Sequence, residues 1–201
     1  MKNLTRTILA VIAAGLVLTG VTTQEAKAAH INGRIDFAGS VRFDSSALQN
    51  VTKVLEWHDV FGNGPNKSNV AVVTGSYMGL VNQGDQATMA IPWIFTPSTA
   101  TPGLWSVDGF TFDLTSATVV MQTATFLDVE GVGTVSGNGF EATHARWAFT
   151  VQNAGGGTGD FFSFSANTAS VGVPDGGSAV ALLGISLVAI EFVRRKLRSR
   201  G

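Results

Sequence analysis

The chain contains no cysteine, and its 201 residues include only five prolines, one tyrosine and three histidines. Without cysteine, the protein can form neither a disulfide framework nor a thiolate metal site, and it has no thiol nucleophile. Charged residues make up only 13% of the chain. The fold must therefore be stabilised by packing alone, and we expect neither a cofactor nor a metal site.

Basic residues are especially scarce between the two ends of the chain. Residues 29–172 hold five Lys or Arg against eleven Asp or Glu, which gives a net charge of −6, whereas the whole chain carries −1. An acidic surface repels polyanions, so this composition argues against nucleic acid as a partner.

Histidine offers little support for catalysis. His30, His58 and His144 are the only histidines, and Glu141 precedes His144 by three residues without completing an H-E-x-x-H zinc motif. The pair His58 and Asp59 could supply half of a proton relay, but such neighbours at a strand end are usually a surface pair. We therefore expect that the protein is not an enzyme.

Three weaker constellations leave alternatives open. Asp128 and Glu130 lie at i and i+2 on one predicted strand, which keeps a glycosidase as a third hypothesis. Trp93 and Trp105 flank a proline-containing loop and could form an aromatic platform for a sugar ring. Weak calcium binding could use a group of oxygen-bearing side chains that turn chemistry explains equally well. That group is Asp59, Asn63, Asn66 and Asn69.

Apolar and polar residues alternate from Ile31 to Phe43, the pattern of a strand with one buried face. Similar short segments, separated by Gly-rich turns, recur through the middle of the chain. We therefore predict an antiparallel, jelly-roll-like β-sandwich with at least seven strands in two packed sheets. The expected buried residues are Ile31, Ile35, Phe37, Val41, Trp57 and Trp147. The expected exposed residues are Arg34, Arg42 and at least one of Trp93 and Trp105.

The amino terminus has the three parts of a secretory signal peptide. Lys2 and Arg6 precede an apolar stretch, which is followed by Ala26-Lys27-Ala28. We predict a signal helix and cleavage after Ala28, so that the mature protein begins at Ala29.

The carboxyl end combines a helix-breaking motif, an apolar run and a basic stop. The motif is Val173, Pro174, Asp175, Gly176, Gly177 and Ser178, and the stop is Arg194, Arg195, Lys196, Arg198 and Arg200. A helix over 179–193 would be about 22 Å long, shorter than the approximately 30 Å hydrocarbon core of a bilayer. The basic stop predicts that the last residues remain in the cytoplasm.

This arrangement resembles the PEP-CTERM class of bacterial sorting signals, and within it the VPDSG-CTERM variant. Val173, Pro174, Asp175, Gly177 and Ser178 match the motif, whereas Gly176 replaces its usual Ser and Ala179 its usual Thr. The resemblance implies export by the secretion machinery, transient anchoring in the inner membrane and cleavage by an exosortase, which is a membrane-embedded protease. It also implies a bacterium that makes extracellular polysaccharide.

Together these observations predict three segments. They are a signal peptide (1–28), an exported β-sandwich domain (29–172) and a sorting signal (173–201) that comprises the motif (173–180), a short transmembrane helix (179–193) and a basic tail (194–201). We expect a noncatalytic structural protein of the envelope or extracellular matrix, displayed on the cell surface or released from it. The alternative is a carbohydrate-binding module for exopolysaccharide.

Overall fold

The computed structural model describes residues 28–152 and 161–170, and ten β-strands account for most of them. The strands are β1 (Gly33–Phe43), β2 (Lys53–His58), β3 (Lys67–Val73), β4 (Gln86–Met89), β5 (Trp93–Ile94), β6 (Thr101–Val107), β7 (Phe110–Gln122), β8 (Phe126–Gly137), β9 (Phe140–Gln152) and β10 (Phe161–Ser170). Two single turns of 3₁₀ helix occur, at Leu48–Asn50 and Gly75–Tyr77.

Eight of these strands form a closed antiparallel barrel. Neighbouring strands follow the order β1, β10, β9, β8, β7, β6, β4 and β3, and β3 pairs with β1 again. The closing pair runs from Gly33 opposite Ser170 to Arg42 opposite Phe161. Beyond the β3 pairing, the same edge of β1 pairs with β2, which in turn pairs with β5.

The predicted sandwich was therefore wrong, because the sheet closes on itself instead of splitting into two packed layers. The alternating pattern shows that each strand has one buried face, and both architectures satisfy that condition. Residues 28–152 and 161–170 contain no α-helix. The helices predicted within the signal peptide (1–28) and over 179–193 lie, apart from residue 28, outside the described residues.

No helix within the described part of the chain is long and apolar enough to cross a membrane.

Aromatic side chains fill the barrel interior. Phe37 lies 5.1 Å from Trp105 between ring centroids, and Trp57 stacks on Trp93 at 5.9 Å. Burying one such side chain contributes about 1.5–3 kcal/mol. The predicted burial of the β1 face and of two tryptophans is confirmed, for Ile31, Ile35, Phe37, Val41, Trp57 and Trp147. Arg34 is exposed as predicted, whereas Arg42 is half-buried because its guanidinium pairs with Glu56.

Two inward-facing glycines allow β7 and β8 to approach each other closely. A Cβ atom on Gly133 would lie 2.2 Å from the carbonyl oxygen of Asp113, and one on Gly131 would lie 2.6 Å from Leu114 Cδ1. The register of β7 against β8 also shifts twice, between Leu114 and Ser116 and again between Val119 and Met121. Such irregularities bend strands.

The first and last described segments meet at one end of the barrel, which we call the terminal rim. Glu141 N donates to Ala29 O at 3.0 Å, and Gly33 pairs with Ser170, the last residue of β10. The loop between β3 and β4 covers the same end, because Ser76 N donates to Asn32 O at 2.7 Å. The terminal rim comprises residues 29–33, 74–85, 108–109, 138–141 and 170.

Candidate functional site: an outer groove and a sorting signal

A groove of about 550 Å³ lies on the outer surface of the barrel. Consecutive strands β7, β8, β9 and β10 form it. Its lining residues are Ser116, Thr118, Val120, Glu130, Gly131, Val132, Arg146, Trp147, Ala148, Asn167 and Ala169.

The strand register explains why a depression forms here. Thr118, Glu130, Ala148 and Asn167 follow one another across the four strands as paired, outward-facing residues. Ala148, like Ala169 of the neighbouring row, carries only a methyl group, so the surface is low at these positions. Longer side chains surround them, and two of these, Val120 and Val132, are 56% and 50% exposed.

The groove contains one charge of each sign. Glu130 pairs with Ala148, and the next outward residue of β8, Val132, pairs with Arg146, so the two charged residues are diagonal neighbours across β8 and β9. No ion pair recorded among residues 28–152 and 161–170 includes either side chain. A carboxylate, a guanidinium, an amide and two hydroxyls thus line a partly apolar surface. These groups could hydrogen-bond a small polyhydroxylated ligand.

The carboxylate pair considered for glycoside hydrolysis does not span the groove. Glu130 lines it, but Asp128 is the preceding outward residue of the same strand and is not part of the lining. Burial raises the pKa of Asp128, and the negative charge of Glu130 raises it further. Because glycosidases place two carboxyl groups on either side of the bond that is cut, this arrangement does not favour hydrolysis.

The four tryptophans are all buried, so the predicted exposure of Trp93 or Trp105 was wrong. Trp105 stacks on Phe112 at 6.0 Å, and its Nε1 donates to Thr168 Oγ1 at 2.8 Å. Trp93 packs on Trp57 inside the same aromatic cluster. The prediction failed because it assumed that residues next to a proline-containing loop are exposed. Both side chains point inward although the loop lies beside them. The aromatic platform for a sugar ring is therefore absent at these positions.

Asp59, Asn63 and Asn69, three of the four residues considered for calcium, take part in side-chain hydrogen bonds around one loop instead. Asp59 Oδ1 accepts from the backbone N of Phe61 at 2.9 Å and of Asn63 at 2.8 Å, and its Oδ2 accepts from Asn63 Nδ2 at 2.9 Å and Gln86 Nε2 at 3.0 Å. Burial alone would raise the pKa of Asp59, but these hydrogen bonds together lower it.

Asn69 completes this network, because its Oδ1 accepts from Val60 N at 2.9 Å. Among residues 28–152 and 161–170, no group of three or more His, Asp or Glu side chains could hold a metal ion. The side-chain oxygens of Asp59 and Asn69 are thus engaged in holding the loop between β2 and β3.

The histidines do not assemble a relay. His58 Nε2 lies 3.1 Å from Glu56 Oε2 and its Nδ1 lies 3.0 Å from Gly62 O, so the ring contacts Glu56 and not Asp59. Hydrogen bonds from Arg42 and His58 lower the pKa of Glu56. His30 Nε2 lies 3.2 Å from Glu141 Oε2, and His144 is exposed on β9.

The comparison with known protein families concerns the end of the chain. Residues 172–197 match the family model of the VPDSG-CTERM motif. The chain carries a VPDSG-CTERM sorting signal. It is thus consistent with a PEP-CTERM/VPDSG-CTERM sorting-domain protein. No curated protein and no solved structure matches the chain significantly.

The VPDSG-CTERM motif indicates how the protein is localised and which kind of enzyme processes it. It implies processing by an exosortase, a membrane protease, and it supports export and transient membrane anchoring before surface display. The sorting-motif residues 173–178 and the basic residues of 194–200 lie outside the described residues. Of the predicted signal-cleavage residues, Ala28 and Ala29 are described and exposed, and Ala29 belongs to the terminal rim.

Proposed function

We propose that the barrel is the exported part of an exosortase substrate and serves a noncatalytic, structural role in the envelope or extracellular matrix. The observation that carries this proposal is the position of the VPDSG-CTERM match, which begins two residues after Ser170, the end of the last barrel strand. A short connection between a folded domain and a sorting signal suits a protein whose folded domain is the delivered product.

The packing of the barrel supports a structural role. An eight-stranded barrel is just wide enough for side chains to fill its interior, and aromatic side chains do so here. Polar groups that resembled catalytic or metal sites have structural partners, and Asp59 with its four donors is the clearest case.

The structural and glycosidase hypotheses differ in their dependence on two carboxylates. A strain that lacks the gene is complemented either with the wild type or with a variant that combines Asp128→Asn and Glu130→Gln. A structural role predicts equal restoration of surface display and matrix retention by both proteins. If the variant is displayed normally but the matrix differs from that of the wild type, the two carboxylates bind or act on a component of the matrix.

Saccharide binding is the second candidate, and the outer groove now supports it in place of the tryptophans. Thr118, Asn167, Glu130 and Arg146 offer donors and acceptors above a floor of small residues. A saccharide carries both hydroxyl groups and apolar C–H faces, which suits a surface of this mixed character.

Affinity electrophoresis through a gel containing the exopolysaccharide of the producing cell would test saccharide binding. Retardation that is lost in Ala148→Trp, which fills the groove, would support a saccharide site there. The control is Thr111→Trp, because Thr111 lies on β7 but does not line the groove. Equal migration of the wild type and Ala148→Trp, with or without polysaccharide, would remove this candidate.

A further inference from the structure

The terminal rim exposes two large apolar side chains at the tip of one loop. Met78 is 66% exposed and Leu80 is 45% exposed, and both lie in the loop between β3 and β4. Gly79 separates them and has a φ of +80°, with no atom within 4 Å of the position of a Cβ atom. The two apolar residues thus project from a tight, open turn.

This loop is anchored in the barrel. Tyr77 is fully buried and its ring lies 4.8 Å from that of Phe110. Leu80 N and Val81 N both donate to Tyr77 O, at 3.2 and 3.0 Å. Exposure of Met78 and Leu80 is consequently a fixed feature of the fold, and it leaves apolar surface in water without an evident structural benefit.

The sorting signal leaves the barrel at the same end. Ser170 closes the terminal rim, and nine further residues lead to Ala179, where the apolar run of the tail begins. Nine residues span at most about 30 Å when fully extended. While the tail anchors the chain, the terminal rim is therefore held within a short distance of the bilayer surface.

We propose that Met78 and Leu80 contact the lipid surface on the exported side of the membrane while the protein remains anchored. This inference rests on the proposed function, since it requires the tail to hold the chain at the membrane. Two partly exposed side chains bind lipid too weakly to recruit a free domain. The tether raises their local concentration at the bilayer and makes the contact effective.

The charge of the rim defines the lipid that it would accept. Asp85 and Asp108 lie close enough to interact with each other, and the domain between the two ends carries a charge of −6. An anionic bilayer would repel this end of the barrel. Contact should accordingly be apolar and favour zwitterionic lipid.

A matched pair of methionines tests the orientation directly. Met121 is 51% exposed and pairs with Asp128 near the far end of β7, whereas the terminal rim lies at the start of that strand. Because the chain has no cysteine, Met78→Cys and Met121→Cys each provide one site for an environment-sensitive fluorophore. The uncleaved protein is reconstituted in phosphatidylcholine vesicles that contain brominated acyl chains.

We expect several-fold stronger bromolipid quenching at residue 78 than at residue 121, with a decrease at residue 78 when phosphatidylglycerol replaces phosphatidylcholine. Equal quenching at the two positions would overturn the inference. Protection of residue 78 from aqueous iodide without quenching by bromolipid would also overturn it, because that result indicates contact with protein instead of lipid. Stronger quenching in phosphatidylglycerol would also contradict an apolar contact.

Flotation separates this failure from failure of the proposed function. If the protein floats with the vesicles but residue 78 is not quenched, only the lipid contact is wrong. If the protein does not float, the anchored state is wrong and the lipid contact falls with it. A fluorophore on Ser76→Cys should be shielded from aqueous iodide when the protein is bound to vesicles. The double variant Met78→Gln and Leu80→Gln should abolish this shielding, whereas Met121→Gln should leave it unchanged.

Discussion

The barrel and the sorting signal encode their roles in opposite ways. The barrel depends on contacts between residues far apart in sequence, such as Gly33 opposite Ser170 and Ile31 N donating to Thr143 Oγ1. The sorting signal is recognised from a contiguous segment, 172–197, without reference to the rest of the chain. Another protein can recognise a single contiguous segment. A fold stabilised by its own packing requires contacts between residues that are far apart in sequence. Substitutions in the two regions should therefore fail in separable ways.

The largest expected effect is on processing. Replacing Pro174 and Asp175 together with Ala should leave membrane insertion nearly intact, since hydrophobicity and the basic stop drive that step, but should block release of the barrel. Fractionation and immunoblotting should show uncleaved protein in the inner membrane. The thermal unfolding of the barrel should be unchanged.

Neutralising Arg194, Arg195 and Lys196 provides the matched control, because it should act earlier by weakening orientation and retention. If this variant and the motif variant accumulate the same species in the same fraction, insertion and cleavage are not separate steps.

In the barrel, the largest effect should come from Gly133→Ala. Its Cβ atom would lie 2.2 Å from Asp113 O and 2.7 Å from the ring of Phe112, so β7 and β8 must separate. We expect a loss of about 3 kcal/mol in the free energy of unfolding, measured by denaturant titration. Thr134→Ala, at the next outward position of β8, should cost no more than about 0.5 kcal/mol. Equal losses for both variants would show that close approach at Gly133 is not required.

Asp59→Asn should have an intermediate effect of about 2 kcal/mol, because the amide cannot accept all the hydrogen bonds that the carboxylate accepts. The pKa of Asp59 is lowered in the folded protein, so the carboxylate stabilises the fold above the unfolded-state pKa and loses this effect as the pH falls through the folded-state value. The difference between wild type and variant should therefore shrink on acidification. Thr134→Ala is the control, because it changes no titratable group and its small effect should not vary with pH.

The smallest effect concerns Asp128. Its pKa is raised, so the folded protein binds a proton on the Asp128 carboxyl more tightly than the unfolded chain does. The free energy of unfolding therefore falls as the pH rises from the unfolded-state to the folded-state pKa. Asp128→Asn should consequently be slightly more stable than the wild type at pH 7. Below both pKa values the gain should disappear. A gain in melting temperature that persists at acidic pH would point to a cause other than charge.

Local patterns allowed some of this molecule to be predicted and not the rest. Alternation identified the buried face of β1, because the period of two depends only on neighbouring residues. Closure of the barrel was missed, since the pairing of β1 with β10 joins residues more than a hundred positions apart. The outer groove was missed for the same reason. Its floor combines Ala148 with Ala169 of another strand, and only the register brings them together.

Trp93 and Trp105 show a different limit. At least one of them was expected to be partly exposed because both border a proline-containing loop, yet the loop does not determine which way the adjoining side chains point. Trp105 faces inward, where Thr168 satisfies its indole N–H and Phe112 covers its ring. The composition of a loop therefore predicts where the chain turns but does not predict whether the flanking residues are exposed.

The central claim is that the barrel is delivered and its tail removed. Mass spectrometry of the surface form, isolated from a host that contains the cognate exosortase, measures this directly. The account predicts a chain that begins at Ala29 and ends near the motif at 173–178, without residues 181–201. A surface form that still carries residues 181–201 would mean that the tail is a permanent anchor, and it would contradict the account.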